Sequence, residues 1–107
     1  MPHFLVEVCY STDAVKTLVK NPQDRTDVVR KSVESVGGKL HSLYFALGET
    51  DVFLVVEMPN SKAAVAMGLA VASTGSVRSY KTTALITARE AAEAMETAKS
   101  VAYSPPK

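Results

Sequence analysis

The stretch Lys39–Glu57, KLHSLYFALGETDVFLVVE, decides the fold. Two apolar runs, Leu40–Leu47 and Val52–Val56, flank the polar segment Gly48-Glu49-Thr50-Asp51. Both runs are rich in Val, Leu, Phe and Tyr and have strand length. Gly followed by small polar residues is turn chemistry, because Gly reaches positive φ without steric cost. The stretch reads as a β-hairpin.

Upstream, His3–Tyr10 reads as a strand. Side chains alternate along a strand, so Phe4, Val6, Val8 and Tyr10 form one face and His3, Leu5, Glu7 and Cys9 the other. The first set is the expected core face. Ser11–Lys20 follows as a short helix, with Ala14, Val15, Leu18 and Val19 at helical spacing. A second helix is expected from Asn21-Pro22. Asn21 can cap it, Pro22 suits its first position, and Asp24 complements the dipole. Val29, Val33 and Val36 make its buried stripe, and Gly37-Gly38 ends it.

Downstream of the hairpin, Pro59-Asn60-Ser61 offers a cap for a helix over Lys62–Ser73. That helix has almost no polar face, so one side is expected to rest on the sheet and the other to meet another element or another subunit. Val77–Ile86 is a strand with polar punctuation and edge character. Thr87 and Glu90 match a capping box, and a last helix runs to about Val101. The order is β-α-β-β-α-β plus a terminal helix. It predicts a ferredoxin-like α+β domain with an antiparallel sheet, its first and third strands central and its helices on one face. The domain is expected to span residues 1–103, with 104–107 as a tail. The sheet face away from the helices is also substantially apolar, and such a face marks an interface. Two sheets packed face to face give a dimeric α+β barrel, so a homodimer or higher homo-oligomer is expected.

Composition narrows the function classes. The 107 residues fit one domain, and the net charge of +1 comes from basic residues scattered without a run or stripe. A nucleic-acid footprint needs clustering on one face, so that partner is set aside. The longest apolar stretch, Ala63–Ala72, is too short to span a bilayer, so no membrane partner is expected. Met1-Pro2-His3 leads straight into a strand, with no sign of a signal peptide. The single cysteine, Cys9, has no internal partner. A reduced, cytoplasmic protein is the expectation.

An ordered set of short elements then resembles the GYD-domain family over residues 2–97. The set comprises Val8-Cys9-Tyr10-Ser11, Gly37-Gly38-Lys39-Leu40, and Tyr44 followed by Gly48-Glu49-Thr50-Asp51. Val55-Val56-Glu57-Met58-Pro59, the Ala-rich helix and Gly75-Ser76-Val77-Arg78 complete it. Two positions depart from the family pattern. Thr50 stands where the family has the Tyr of its Gly-Tyr-Asp element, and Glu7 stands at a customarily apolar position. The resemblance implies a dimeric α+β barrel and no settled activity. Related barrels include monooxygenases, ligand-binding sensors and detoxifying enzymes, and fold kinship does not choose among them.

Four residues are candidates for lining a small-molecule site: Tyr10, Tyr44, Asp51 and Arg78. Asp51 lies at the start of the third strand and is expected beside Cys9 or Tyr10. There it either anchors a ligand or accepts backbone amides. Arg78 either binds an anion or stays solvated. Tyr44 either lines a cavity or packs with its hydroxyl toward water. His3, Glu7 and Glu57, with Cys9, are residue types that suit a transition metal, but no metal-binding spacing is present. The expectation is no metal and no cofactor, with Glu7 paired to Lys81 or Arg78. His41 and Tyr44 are expected on opposite strand faces. Cys9 reads as a small buried hydrophobe. The functional expectation is a small-molecule binding or sensing protein. The alternatives are a cofactor-free monooxygenase or isomerase using Asp51 or His41 for proton transfer, and a structural oligomerisation module.

Overall fold

A computed structural model describes residues 1–107. The elements are β1 (His3–Tyr10), α1 (Thr12–Lys20), α2 (Thr26–Ser35), β2 (Lys39–Phe45), β3 (Val52–Glu57), α3 (Ser61–Ala72), β4 (Val77–Leu85) and α4 (Ala88–Ala98). The four strands form one sheet in the order β2-β3-β1-β4. All its pairings are antiparallel, with β1 and β3 central. The α+β ferredoxin-like arrangement expected from the sequence is the one observed.

Strand alternation sorts the sheet into two faces. Phe4, Val6 and Val8 of β1 and Val52, Leu54 and Val56 of β3 are buried together with Val33 of α2, Met58, and Ala64 and Met67 of α3. The helices therefore cover this face, and the core lies between it and α2 and α3. The opposite face carries His3, Leu5, Glu7 and Cys9 of β1, aligned with Glu57, Val55 and Phe53 of β3 on one side. Leu85, Thr83, Lys81 and Ser79 of β4 align with them on the other.

The turn between α2 and β2 is built by two glycines. Gly37 has φ +82°, a region that L side chains avoid. The amides of Gly37 and Gly38 donate to the carbonyls of Glu34 and Val33, closing the helix end. A Cβ on Gly38 would fall 2.5 Å from the Glu57 carbonyl and 2.7 Å from Met58 Sδ. Only glycine lets β2 leave the helix this close to the end of β3.

Three expectations change. The second helix begins at Thr26 rather than at Asn21-Pro22. Asn21 instead closes α1, its amide donating to the Thr17 carbonyl. Asp24 Oδ1 accepts the Thr26 amide at 2.9 Å just ahead of the helix, whose N-cap residue Arg25 makes no side-chain cap bond. The apolar helix α3 buries only Ala64 and Met67, while Val65 and Leu69 are 59% and 67% exposed. The hairpin turn does not use positive φ at Gly48, because the glycines with positive φ are Gly37 and Gly75. The loop is closed instead by the Ala46 amide donating to the Asp51 carbonyl.

α4 begins at the expected capping box. Glu90 donates its amide to Thr87 Oγ1, and Glu90 Oε1 accepts the Thr87 amide, both at 3.1 Å. It buries none of its residues. The radius of gyration is 17.2 Å, against about 13 Å for a compact domain of this length. No helix is long and apolar enough to cross a membrane.

Candidate functional site

A cavity of about 110 Å³ lies between the core face of the sheet and helices α2 and α3. Its walls are apolar, formed by residues such as Val6, Val8 and Leu54 from the sheet and Val29 and Met67 from the helices. Tyr10 and Tyr80 supply ring surface with a polar tip, and Arg25, Ser32 and Ser76 complete the polar part. Tyr10 sits at the end of β1, where the β1–β4 register shifts between Cys9 and Tyr10. Tyr80 meets α3 at Gly68, where a Cβ would lie 3.0 Å from its ring, so the glycine lets the helix approach.

Arg25 is the cation of this cavity. It immediately precedes α2 and is half-buried, with Nη1 donating to Gln23 Oε1 at 2.8 Å. Burial raises the Tyr10 phenol above its ordinary pKa, and Arg25 opposes that rise by its charge and by hydrogen bonding to the hydroxyl. Burial alone raises Tyr80. Both phenols are therefore neutral donors at physiological pH. The arrangement can bury a small apolar body and hold an anionic or hydrogen-bonding head beside Arg25.

The four residues singled out in the sequence do not converge on this cavity. Tyr10 lines it, with its ring 6.1 Å from that of Phe45. Asp51 is joined to Tyr10, because its Oδ2 accepts the Tyr10 amide at 2.9 Å. The Asp51 amide in turn donates to the Val8 carbonyl at 3.0 Å. Asp51 thus accepts a backbone amide, as one sequence reading held, but the amide belongs to β1 rather than to the turn. Tyr44 lies on the open sheet face opposite Phe53 and is 70% exposed. Arg78 borders a separate groove with Glu7, Cys9, Glu49, Thr50, Ser79 and Lys81. Cys9 is buried there, its Sγ donating to the Glu49 carbonyl at 3.1 Å. Glu7 pairs with Lys81 at 3.8 Å, the ion pair expected for it.

Sequence reasoning passed over Arg25, Ser32 and Tyr80. Arg25 falls inside the helix expected from Asn21-Pro22, rather than ahead of it as observed. The Tyr10–Tyr80 relation depends on the β1–β4 register, which the sequence does not encode locally.

At the far end of the open face, His3, His41 and Glu57 form a second cluster. His3 Nε2 and His41 Nε2 each lie 3.1 Å from Glu57 Oε1. The two imidazoles stack with centroids 5.4 Å apart and planes inclined at 22°. Glu57 faces His3 across the β1–β3 ladder. His41 arrives by a different route. It follows Leu40, which faces the core opposite Val56, and so lies on the open face, and the β2–β3 register shift between Leu40 and Ser42 then turns Tyr44 to that face as well. The expected opposition of His41 and Tyr44 is therefore corrected by one extra residue in the strand. The His41 hydrogen bond, with the His3 charge adding to it and desolvation opposing, holds the Glu57 carboxyl below its usual range.

Residues 4–95 match the family model for the GYD domain. The chain belongs to the GYD-domain family. A Thermus thermophilus protein named glutamine synthetase and cystathionine beta-lyase binding protein is 33% identical over 78 residues. That match covers 73% of this GYD domain chain and 82% of the Thermus protein. Among solved structures, MtbAldR superposes with a TM-score of 0.62 at 14% identity, over 80% of this chain and 53% of its own. A Neisseria meningitidis transcriptional regulator, crystallised as its L-Met complex, superposes with a TM-score of 0.55 at 17% identity. It is matched over 81% of this chain and 51% of its own. The GYD domain thus spans about half the length of these two proteins, and at such identities the likeness is one of fold.

Proposed function

We propose that this GYD domain is a binding protein whose sheet–helix cavity takes a small amphiphilic anion. The observation that carries the reading is the cavity itself, apolar on most sides with one half-buried cation, Arg25, in its wall. Ligand pockets commonly combine apolar walls with a few placed polar groups that fix orientation. A cavity of about 110 Å³ suits an apolar body smaller than benzene, about four heavy atoms, since an apolar cavity of about 150 Å³ accepts benzene. A carboxylate on that body would meet the Arg25 guanidinium, with the Tyr10 hydroxyl as a second donor.

Binding is favoured over turnover by the residue types. The lining residues offer phenols, hydroxyls and a guanidinium, but no carboxylate, imidazole or thiol as a proton-transfer group near neutral pH. The name of the Thermus relative describes binding to two other proteins, and one fold neighbour was solved with an amino acid. Both support a binding role in general terms.

Tyr44 and Arg78, on the other side of the sheet, are assigned to a seam with a second copy of the chain rather than to the cavity. Asp51 acts on the cavity through Tyr10, by holding the backbone at the end of β1.

The test is titration of the protein with short carboxylates, such as isovalerate and butyrate, followed by ligand-observed NMR. Saturable binding is expected, and Arg25→Gln is expected to weaken it about tenfold or more, as loss of a charge-assisted hydrogen bond does. Tyr44→Ala is expected to leave it unchanged. Absence of saturable binding by these carboxylates, or equal binding by Arg25→Gln, would refute the assignment.

A further inference from the structure

We infer that His3, His41 and Glu57 form a binding site for a divalent transition-metal ion on the open face of the sheet. The donor set is two imidazoles and one carboxylate, a combination that binds zinc and other first-row metals. The three ligating atoms all lie within 4.8 Å of one another. Each imidazole Nε2 is 3.1 Å from the same carboxylate oxygen, Glu57 Oε1. Donors bonded at about 2.0–2.2 Å to one metal lie roughly 3.0–3.4 Å apart in cis-octahedral or tetrahedral geometry. The two histidine–glutamate separations already fall in that range. The third separation, between the two imidazoles, stays within 4.8 Å, and the stacked rings have to close it around a metal ion.

The backbone supplies the placement. β1 and β3 set His3 opposite Glu57 in direct register. On β2, Lys39 lies opposite Glu57 and Leu40 opposite the core residue Val56, so His41 falls on the Glu57 face just where the register shifts. Three strands thus contribute one donor each, and strands hold donors more firmly than a loop does.

Charge and exposure agree with this reading. Fully protonated histidines would put two cations in one stack beside a single carboxylate. Metal binding instead draws on neutral imidazoles and an ionised carboxylate. The surroundings are mixed in sign. Lys39 lies opposite Glu57 on β2, while Glu90 of α4 lies close enough to His3 to feel its charge. The side chains of His3, His41 and Glu57 are 36%, 35% and 24% exposed, so an aqueous ion can enter. Three protein donors leave at least one position for water or an anion, which distinguishes the site from a closed four-ligand structural centre.

The test uses the chelator-treated full chain titrated with Co²⁺, then with Zn²⁺. One Co²⁺ per chain is expected, with visible ligand-field absorption that Zn²⁺ abolishes. His41→Ala and Glu57→Gln are each expected to weaken binding at least tenfold, while Glu7→Gln leaves it unchanged. A second measurement needs no variant. Zn²⁺ should move the ¹⁵N resonances of Nε2 in both His3 and His41 of the wild-type protein. Failure of Co²⁺ to bind saturably overturns the inference. So does binding retained by His41→Ala/Glu57→Gln, or Zn²⁺ that leaves both Nε2 resonances in place.

Discussion

Asp51 ties the hairpin to β1 with one side chain. Its Oδ2 accepts the Tyr10 amide and its own amide donates to the Val8 carbonyl. A hydrogen bond to a charged group contributes roughly 1.5–3 kcal/mol. Asp51→Ala is therefore expected to lower stability by about that amount in urea unfolding, and Asp51→Asn, which keeps an acceptor, by less. Glu57 sets a pH dependence at the same scale. Its folded pKa is lowered, chiefly by the His41 hydrogen bond. Its stabilising contribution is thus present above the unfolded carboxyl value and is lost as pH falls through the folded one. Metal-free Glu57→Gln is expected to flatten the stability profile below about pH 4.3, the unperturbed glutamate value. An unchanged acid limb in chemical denaturation would contradict that. The position of Asp51 was legible, because turn chemistry and antiparallel pairing both point to the end of β1. The shared face of His41 and Tyr44 was not. Face assignment by alternation assumes a regular strand, and a bulge reverses the parity without any local composition that announces it.

Local capping chemistry explains which helix ends were legible. Asn60 caps α3 by accepting the Ala63 amide at 2.9 Å, and Thr87 caps α4 with Glu90 in return. Both follow from residue types at fixed short offsets. The start of α2 did not, because Asn21-Pro22 carries the residue types of a helix start, yet Asn21 closes α1 and the Asp24 carboxylate takes the Thr26 amide where α2 begins. α4 provides a test of capping with little tertiary support. Thr87→Ala removes the cap, a change that costs about 1 kcal/mol. Since α4 buries no residue, that loss is expected as faster amide exchange across Ala88–Ala98, with the global denaturation midpoint nearly unchanged. A fall in the midpoint matching the cap energy would show α4 to be coupled to the core. The Gly38 turn should respond in the opposite way. Gly38→Ala drives a Cβ into the Glu57 carbonyl, and overpacking of this kind costs about 1–3 kcal/mol, read as a lower global midpoint.

At the scale of the whole molecule, one sheet face is covered and the other is not. Only 11 of 107 residues are buried, so the single chain makes a small core, and small domains gain most from a partner. The open face carries Leu5, Phe53 and Val55 in adjacent register, each half-buried without a helix above it. The Glu7–Lys81 pair flanks them. A flat apolar strip beside paired opposite charges suits a second copy related by a two-fold axis, since each charge then meets its complement. Sheets stack about 10 Å apart with interleaved side chains, a geometry that Phe53 and Tyr44 can fill. A homodimer of twice the 11.4 kDa chain mass is the expected species in light scattering. Phe53→Lys places a charge in the middle of the seam, where an unpaired buried charge costs several kcal/mol, and should yield monomer. Val65→Lys on the outer side of α3 should leave the dimer intact. If the two variants behave the other way round, the exposed row Val65 and Leu69 is the seam instead. Tyr44 and Arg78 then lose the partner surface assigned to them, while the cavity behind Tyr10, closed within one chain, keeps its ligand assignment.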